Sequence, residues 1–288
     1  MNQSYVIVTD SGSDLPKYLS EELGVQVISL SVLVDGEEAM DDEMVERPLF
    51  YEKLRNGKMA TTAAVNMEKF AAVAEPLLKE GKDILYLGFS SGLSSTYQAA
   101  KNAAEELQET YPERKIIAVD TLCASLGEGL IVYHATRLQS EGKSIEETAK
   151  WVEDNRLNLA HWFTVDDLHF LKRGGRVSAA TAMVGSMLQI KPVMHVDDEG
   201  HLVKVTTARG RRASIKALFD KIPETAIDPE KQVYYISHGD CLADAELLAS
   251  MIRERYGDVK IVIDYVGAVI GAHSGPGTLA LFFLGTKR

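Results

Sequence analysis

A run of hydroxyl side chains follows one short apolar stretch of this sequence. Asp83 to Leu87 is typical of a buried strand, and a helical pattern begins near Tyr97. Between them stand five hydroxyl residues, Ser90, Ser91, Ser94, Ser95 and Thr96. A strand, turn and helix of this kind direct several backbone N–H groups and the positive end of a helix dipole toward one point, which suits a phosphate or a carboxylate. The alternative is that one serine is an ordinary helix cap and the other hydroxyls are solvated, which five hydroxyls in seven residues disfavour without excluding.

Two further stretches could contribute polar groups to the same point. Thr61 and Thr62 precede a helix predicted to begin near Met67. Either one of them caps that helix, or the pair forms a second hydroxyl cluster directed at the serine turn. The glycine-rich segment from Gly267 to Thr278 is predicted to be a loop, and it carries His273. A single histidine is usually structural, but in a polar loop a functional role is at least as plausible.

Two basic runs stand out in a chain whose formal net charge is -11. Arg173 and Arg176 flank the pair Gly174-Gly175, and glycine lets a backbone approach a ligand closely. This run is either a surface turn or an anion contact. Arg209 opens the second run, which extends to Arg212 and is either a solvated helix start or a docking or phosphate contact.

These residues admit two kinds of function. Gly88-Phe89-Ser90-Ser91-Gly92 fits the nucleophile elbow of α/β hydrolases, so a lipid-ester hydrolase could use Ser90 or Ser94 with His273. Against this, the sequence has no HGGG-type oxyanion motif and no obvious carboxylate to orient His273. It also lacks the glycine-rich loops that bind nucleotides. The other candidate is a binding protein whose polar cluster fixes a carboxylate at the end of an apolar tunnel.

Composition narrows the class of protein further. The 288 residues are 45% apolar, enough for a sizeable core, and the negative charge disfavours nucleic-acid binding. Two distant cysteines support neither a disulfide framework nor a zinc site. Asp10 and Asp14 have no further ligands at useful spacing, so we expect a turn and cap role and no metal. We expect no signal peptide and no membrane span, and therefore a cytoplasmic protein.

Alternating strand and helix patterns predict an α/β fold with parallel strands. We predict a strand over Val25 to Val34, a surface loop over Glu37 to Glu46, a helix from about Ala124 to Ser140, and a buried helix over Ser178 to Gln189 that contains Met183 and Met187. The composition shifts after about residue 157. We therefore predict an N-terminal α/β domain over 1–157 and a C-terminal α/β domain over 158–288.

Five motifs, in this order, resemble those of one family. They are Val8-Thr9-Asp10-Ser11 with Asp14-Leu15-Pro16, Ser90 to Gln98, Leu171 to Ser178, Ile190-Lys191-Pro192, and Gly271 to Gly277. Together they resemble the DegV family of bacterial fatty-acid-binding proteins over essentially the whole chain. The resemblance implies two α/β domains with a long-chain fatty acid buried between them.

The resemblance also implies roles for particular residues. The carboxylate would be held by Thr62, with its neighbour Thr61 as a second candidate, by Ser94 with the adjacent Ser95, and by His273. The protein would have no active centre and no cofactor beyond the bound fatty acid. It would present the lipid to an ATP-dependent fatty acid kinase subunit, with Arg173, Arg176 and Arg209 facing that partner or the incoming phosphate. Transient membrane contact is compatible with such a carrier, whereas nucleic acid is not an expected partner.

Overall fold

The computed structural model describes residues 5–36, 39–178 and 189–288. The predicted helix over Ser178 to Gln189, with Met183 and Met187, lies almost entirely outside these residues. The described helices are α1 (Lys17–Leu23), α2 (Arg47–Arg55), α3 (Met67–Lys79), α4 (Thr96–Thr110), α5 (Leu126–Ser140), α6 (Ile145–Asn155), α7 (Leu168–Arg173), α8 (Arg211–Phe219), α9 (Lys221–Thr225), α10 (Leu242–Tyr256) and α11 (Ala268–Ser274).

A parallel four-stranded sheet organises the first half of the chain, in the order β2-β1-β6-β7. Its strands are β1 (Tyr5–Asp10), β2 (Gln26–Ile28), β6 (Asp83–Gly88) and β7 (Ile116–Asp120). Successive residues of β6 point to opposite faces, so Leu85 packs into a core with α5 and α6, while Ile84 packs into a second core with α3 and α4. Because both faces are covered, the strands are continuously apolar, as the sequence indicated.

A small antiparallel sheet branches from this layer, in the order β4-β3-β5. Its strands are β3 (Ser31–Val34), β4 (Met40–Asp41) and β5 (Ala60–Ala63). The prediction of one strand over Val25 to Val34 was wrong, because the chain leaves β1 after Ile28 and re-pairs at Ser31 with different partners. The expected surface loop over Glu37 to Glu46 also needs correction, because Asp42 within it is buried.

A mixed six-stranded sheet forms the second half, in the order β10-β9-β8-β13-β11-β12. Its strands are β8 (Leu159–Thr164), β9 (Ile190–Val196), β10 (Leu202–Arg209), β11 (Tyr234–His238), β12 (Ile261–Tyr265) and β13 (Leu279–Leu284). Helices α8 and α10 cover one face and form a third core with it, while α5 packs on the other face. Helix α5 therefore contacts both large sheets.

The predicted division at residue 157 falls between the end of α6 and the start of β8. Contacts nevertheless cross it in both directions, since α11 from the second half packs against α2, β3 and β5 from the first. The division into two domains stays a prediction.

The glycine-rich segment is a helix and not the predicted loop. Gly267 precedes the first residue of α11, and Gly275, with a φ of 79°, follows its last residue. These glycines therefore bound the helix and do not interrupt it. The internal Gly271 packs so closely that a Cβ there would lie 2.5 Å from the Tyr51 hydroxyl oxygen. A glycine at that point thus permits close packing of the helix and does not indicate an irregular chain.

Helix α6 begins with the capping box that its sequence predicts. The Ser144 hydroxyl accepts the Glu147 backbone N–H at 3.1 Å, and the Glu147 carboxylate accepts the Ser144 N–H at 2.9 Å. We predict that Ser144→Ala lowers the free energy of unfolding by about 1 kcal/mol, because the first turn of the helix then loses the side-chain acceptor of its capping box. Urea unfolding measures this. Ser250→Ala, at an exposed position within α10, is the matched control and should change stability by less than about 0.5 kcal/mol. Equal effects of the two substitutions would contradict the capping role.

Candidate functional site

An apolar cavity of about 240 Å³ lies between the six-stranded sheet and the loops at the ends of the parallel strands. Phe163 and Ala280 are cross-strand neighbours on β8 and β13, so both side chains point to the same face and form its floor. Its apolar lining is Leu30, Ala64, Phe89, Leu93, Ala124, Phe163, Leu171, Val196, Leu202, Val266, Val269, Ile270, Ala280 and Phe282. Such a lining suits a ligand with a long hydrocarbon part.

The structure brings five of the eight proposed site residues to this cavity. They are Thr62, Ser94, Ser95, Arg176 and His273. At the centre of this group, the Thr62 hydroxyl and the His273 Nε2 atom lie 2.8 Å apart and share a hydrogen bond. This bond links strand β5 to the last turn of α11, two elements separated by 211 positions in the chain.

Thr61 is not brought to the cavity. Successive side chains of a strand point to opposite faces, and on β5 Thr62 faces inward while Thr61 is exposed. Neither threonine caps the following helix, because the Asn66 side chain accepts the Lys69 backbone N–H there.

His273 is held in its neutral form. Burial, with smaller contributions from Arg176 and Arg173, lowers the pKa of its imidazole to about 4. Its Nδ1 atom is buried without a hydrogen-bond partner among the described residues. Gly174 makes this position possible, because a Cβ there would lie 2.2 Å from Nδ1. A neutral imidazole carries one N–H group, and this N–H can donate a hydrogen bond to an anion.

The serine turn has two separate roles. Asp10 fixes its start, since this buried carboxylate accepts the Phe89 N–H at 3.0 Å and the Tyr86 hydroxyl at 2.7 Å. Ser94 lines the cavity and also accepts the Thr96 backbone N–H at 3.2 Å, so it combines the capping and the binding interpretations. Ser90 is buried elsewhere and donates to the Gly200 carbonyl at 2.9 Å.

The three proposed arginines occupy different surroundings. Arg176 is half-buried in the cavity wall, where its Nε donates to the Leu93 carbonyl at 3.1 Å, and burial lowers its pKa. Arg173 is exposed, with its guanidinium 4.7 Å from the centre of the Phe170 ring. Arg209 is exposed at the end of β10 and does not line the cavity.

The hydrolase arrangement is not assembled in the described part of the chain. His273 contacts Thr62 and neither Ser90 nor Ser94, and no carboxylate among the described residues bonds to its Nδ1. Ser90 also lacks a left-handed backbone conformation such as Ser125 shows. A nucleophile without a base, and a base without an orienting group, cannot carry out acyl transfer by the serine mechanism.

Sequence reasoning missed four hydroxyl residues that line the same cavity, namely Ser125, Ser237, Ser274 and Thr278. Ser125, Ser237 and Ser274 lie at the starts or ends of elements, far apart in the chain. Ser125 was predicted inside a helix from Ala124, whereas α5 begins only after it. The position of Ser125 could have indicated that it lines the site, because it follows β7 at the same sheet edge as the serine turn.

Residues 5–36, 39–178 and 189–288 contain no cluster of histidine, cysteine, aspartate and glutamate arranged to hold a metal ion. Within the same residues, no helix has the length and apolar character needed to cross a membrane. Asp10 caps a short 3-10 helix by accepting the Gly12 N–H, as its turn and cap role predicts.

A family model described as "Uncharacterised protein, DegV family COG1307" matches residues 4–286. The chain belongs to the DegV family. It is 47% identical to a DegV domain-containing protein of Clostridium perfringens over 99% of each chain. The resemblance inferred from the five motifs, and the α/β fold it implied, are therefore confirmed.

Solved structures of DegV proteins superpose on almost the entire chain. A DegV family protein from Thermus thermophilus, described for its fatty acid binding, is 33% identical with a TM-score of 0.88 and covers 97% of this chain and 98% of its own. A DegV lipid-binding protein from Thermotoga maritima is 29% identical with a TM-score of 0.87 and covers 99% of each chain. DegV from Bacillus subtilis, described as a fatty acid binding protein, is 27% identical with a TM-score of 0.85, covering 98% and 99%.

The buried, neutral His273 makes stability depend on pH. The folded imidazole titrates at a pKa of about 4 and the unfolded one near 6.5, so the unfolded chain binds more protons between these values. Stability of the ligand-free protein should therefore fall as the pH drops from about 6.5 to about 4. His273→Gln, which can still bond Thr62, should make this fall smaller, as measured by urea unfolding at a series of pH values.

His169→Gln is the matched control, because this histidine is exposed. His169→Gln lies outside the cavity and should change the pH dependence less than His273→Gln does. Other buried histidines contribute a background slope, so the test is the difference between the two variants. An identical slope for His273→Gln and His169→Gln would show that His273 is not held neutral.

Proposed function

We propose that this DegV family protein binds a long-chain fatty acid, with its carboxylate at Thr62, Ser94, Ser95 and His273 and its acyl chain in the apolar cavity. The observation that carries the proposal is the Thr62–His273 hydrogen bond at 2.8 Å at the edge of a mostly apolar lining. The fatty acid binding described for the relatives from Thermus thermophilus and Bacillus subtilis supports it.

The two ends of such a ligand have different requirements, and the cavity provides for both. Each methylene removed from water contributes about 0.8 kcal/mol, so a long acyl chain drives binding strongly. The carboxylate resists burial unless donors replace its water. Hydroxyls of Thr62 and Ser94, the N–H of neutral His273 and the nearby Arg176 guanidinium are donors of this kind.

We further propose that the protein is the lipid-presenting component of a two-component fatty acid kinase in the cytoplasm. The partner subunit transfers the γ-phosphoryl group of ATP to a carboxylate oxygen, which gives an acyl phosphate and ADP. In this proposal the chain binds and presents the lipid, and the partner subunit carries out the phosphoryl transfer. Loading from a membrane would need only transient contact, and nucleic acid has no part in this function.

The arginines fit such a partner in different ways. Arg173 is exposed directly beside Gly174, whose backbone contacts the His273 side chain, so it stands at the carboxylate end of the cavity. Arg176 lies within the wall and can meet the head group itself. Arg209 is exposed on a different element and would serve as a docking contact further from the phosphate.

Thr62 and Thr61 provide a matched test of the head-group site. We predict that Thr62→Val weakens fatty acid binding roughly 10-fold, because a hydrogen bond to a charged group is worth about 1.5–3 kcal/mol. Thr61→Val, the same change one residue away on the exposed face, should leave the affinity unchanged. Titration of delipidated protein with stearic acid measures both. Equal effects of the two substitutions would contradict the proposed site.

Ser94→Ala extends this test and separates the carrier from a hydrolase. In the carrier, Ser94→Ala weakens lipid retention. In a hydrolase, it abolishes ester turnover and leaves lipid binding intact. Hydrolysis of acyl esters by the unmodified protein at enzymatic rates would overturn the carrier proposal.

Arg173 tests the kinase partnership separately from lipid binding. Arg173→Glu should lower acyl phosphate formation with the host kinase subunit by about tenfold or more, because it reverses a charge where the partner brings phosphate. Its affinity for stearic acid should fall by a much smaller factor, because Arg173 does not line the cavity and acts on the carboxylate only through its charge. Arg253→Glu, an exposed arginine on α10, is the control. If Arg173→Glu supports phosphorylation at the normal rate, this arginine does not face the partner.

A further inference from the structure

The acyl cavity contains a second polar group that the head-group site does not use. It consists of Ser125, Ser237 and Ser274, all of which line the cavity. The Ser125 hydroxyl lies 2.9 Å from that of Ser237 and bonds to the buried carboxyl of Asp14. Ser237 is fully buried and Ser274 is 5% exposed.

These hydroxyls stand among apolar side chains. Ser237 pairs across the sheet with Ala280, which pairs with Phe163, so the three side chains lie in one row on the cavity floor. The Ser274 hydroxyl has no hydrogen-bond partner in the described part of the chain. A buried hydroxyl without a partner destabilises a protein, so this one requires an explanation.

The backbone of Ser125 adds an independent observation. Its φ of 55° and ψ of −150° fall in a region that glycine adopts freely and other residues adopt only at a cost. A glycine would fit this backbone with less strain. The serine contributes what glycine lacks, namely the hydroxyl that connects Asp14 to Ser237.

We infer that the cavity accepts a fatty acid that carries a hydroxyl group on its acyl chain, bound by Ser237 and Ser274 and oriented through Ser125. This inference rests on the proposed function and names its substrate class. A hydroxyl both donates and accepts. It can therefore bond Ser237 whichever way the Asp14–Ser125–Ser237 chain is directed, and it gives Ser274 the partner that it lacks. The alternative is that a water molecule bonds these serines. The cavity would then bind an unsubstituted fatty acid more tightly than a hydroxylated one.

The test compares stearic acid with a positional series of monohydroxystearic acids on the delipidated, full-length protein. A purely apolar cavity would bind every hydroxylated acid about tenfold or more weakly, because it buries the hydroxyl without a partner. We expect at least one positional isomer to bind as tightly as stearic acid or more tightly. Ser125→Gly and Ser237→Ala should each shift the affinity ratio about tenfold toward stearic acid.

Two controls accompany these variants. Ser125→Gly suits the backbone conformation but removes a hydrogen bond from Asp14, so urea unfolding is measured beside the titration to establish that the variant is folded. Thr62→Val should weaken both acids equally and leave their ratio unchanged. The inference is overturned if every hydroxylated isomer binds more weakly than stearic acid, or if neither serine variant alters the ratio. If neither kind of acid binds, the proposed function itself fails, so the two failures are distinguishable.

Discussion

A carboxylate can leave water only where donors replace its hydration, and the Thr62–His273 hydrogen bond marks the place where this chain provides them. The bond depends on two elements that must meet from opposite ends of the sequence. Strand β5 is positioned by its pairing with β3, and α11 is positioned by close contact of Gly271 with Tyr51 and by a bond from the Val269 N–H to Asp42. The small sheet, the buried Asp42 and the glycines of α11 therefore all serve one contact.

The charge state of the site follows from its burial. Desolvation lowers the pKa of His273 and leaves it neutral, so the imidazole offers a hydrogen bond without adding a buried cation. The cationic charge is supplied by Arg176, which is held in the wall by the Leu93 carbonyl. A neutral donor beside a half-buried guanidinium can hold an anion without placing a second cation in the cavity.

Much of the architecture could be predicted from the sequence, because buried strands, the capping box of α6 and the serine turn are local patterns. The sequence could not distinguish Thr61 from Thr62, because which of the two side chains faces the cavity depends on how β5 pairs with its neighbouring strand. The segment around His273 was predicted to be a loop because its glycines could not be assigned to helix ends and close packing before Tyr51 was placed against it. Ser125, Ser237 and Ser274 line the same cavity only because elements distant in the sequence pack together. No local sequence pattern predicts this.

The central claim is that the cavity holds one fatty acid. The most direct measurement is mass spectrometry of the protein purified from a bacterial host, first under native conditions and then after solvent extraction. The account predicts a mass increment of one fatty acid per chain that is released intact by the solvent, with no covalent adduct. A protein that is purified empty and takes up no added fatty acid would contradict it.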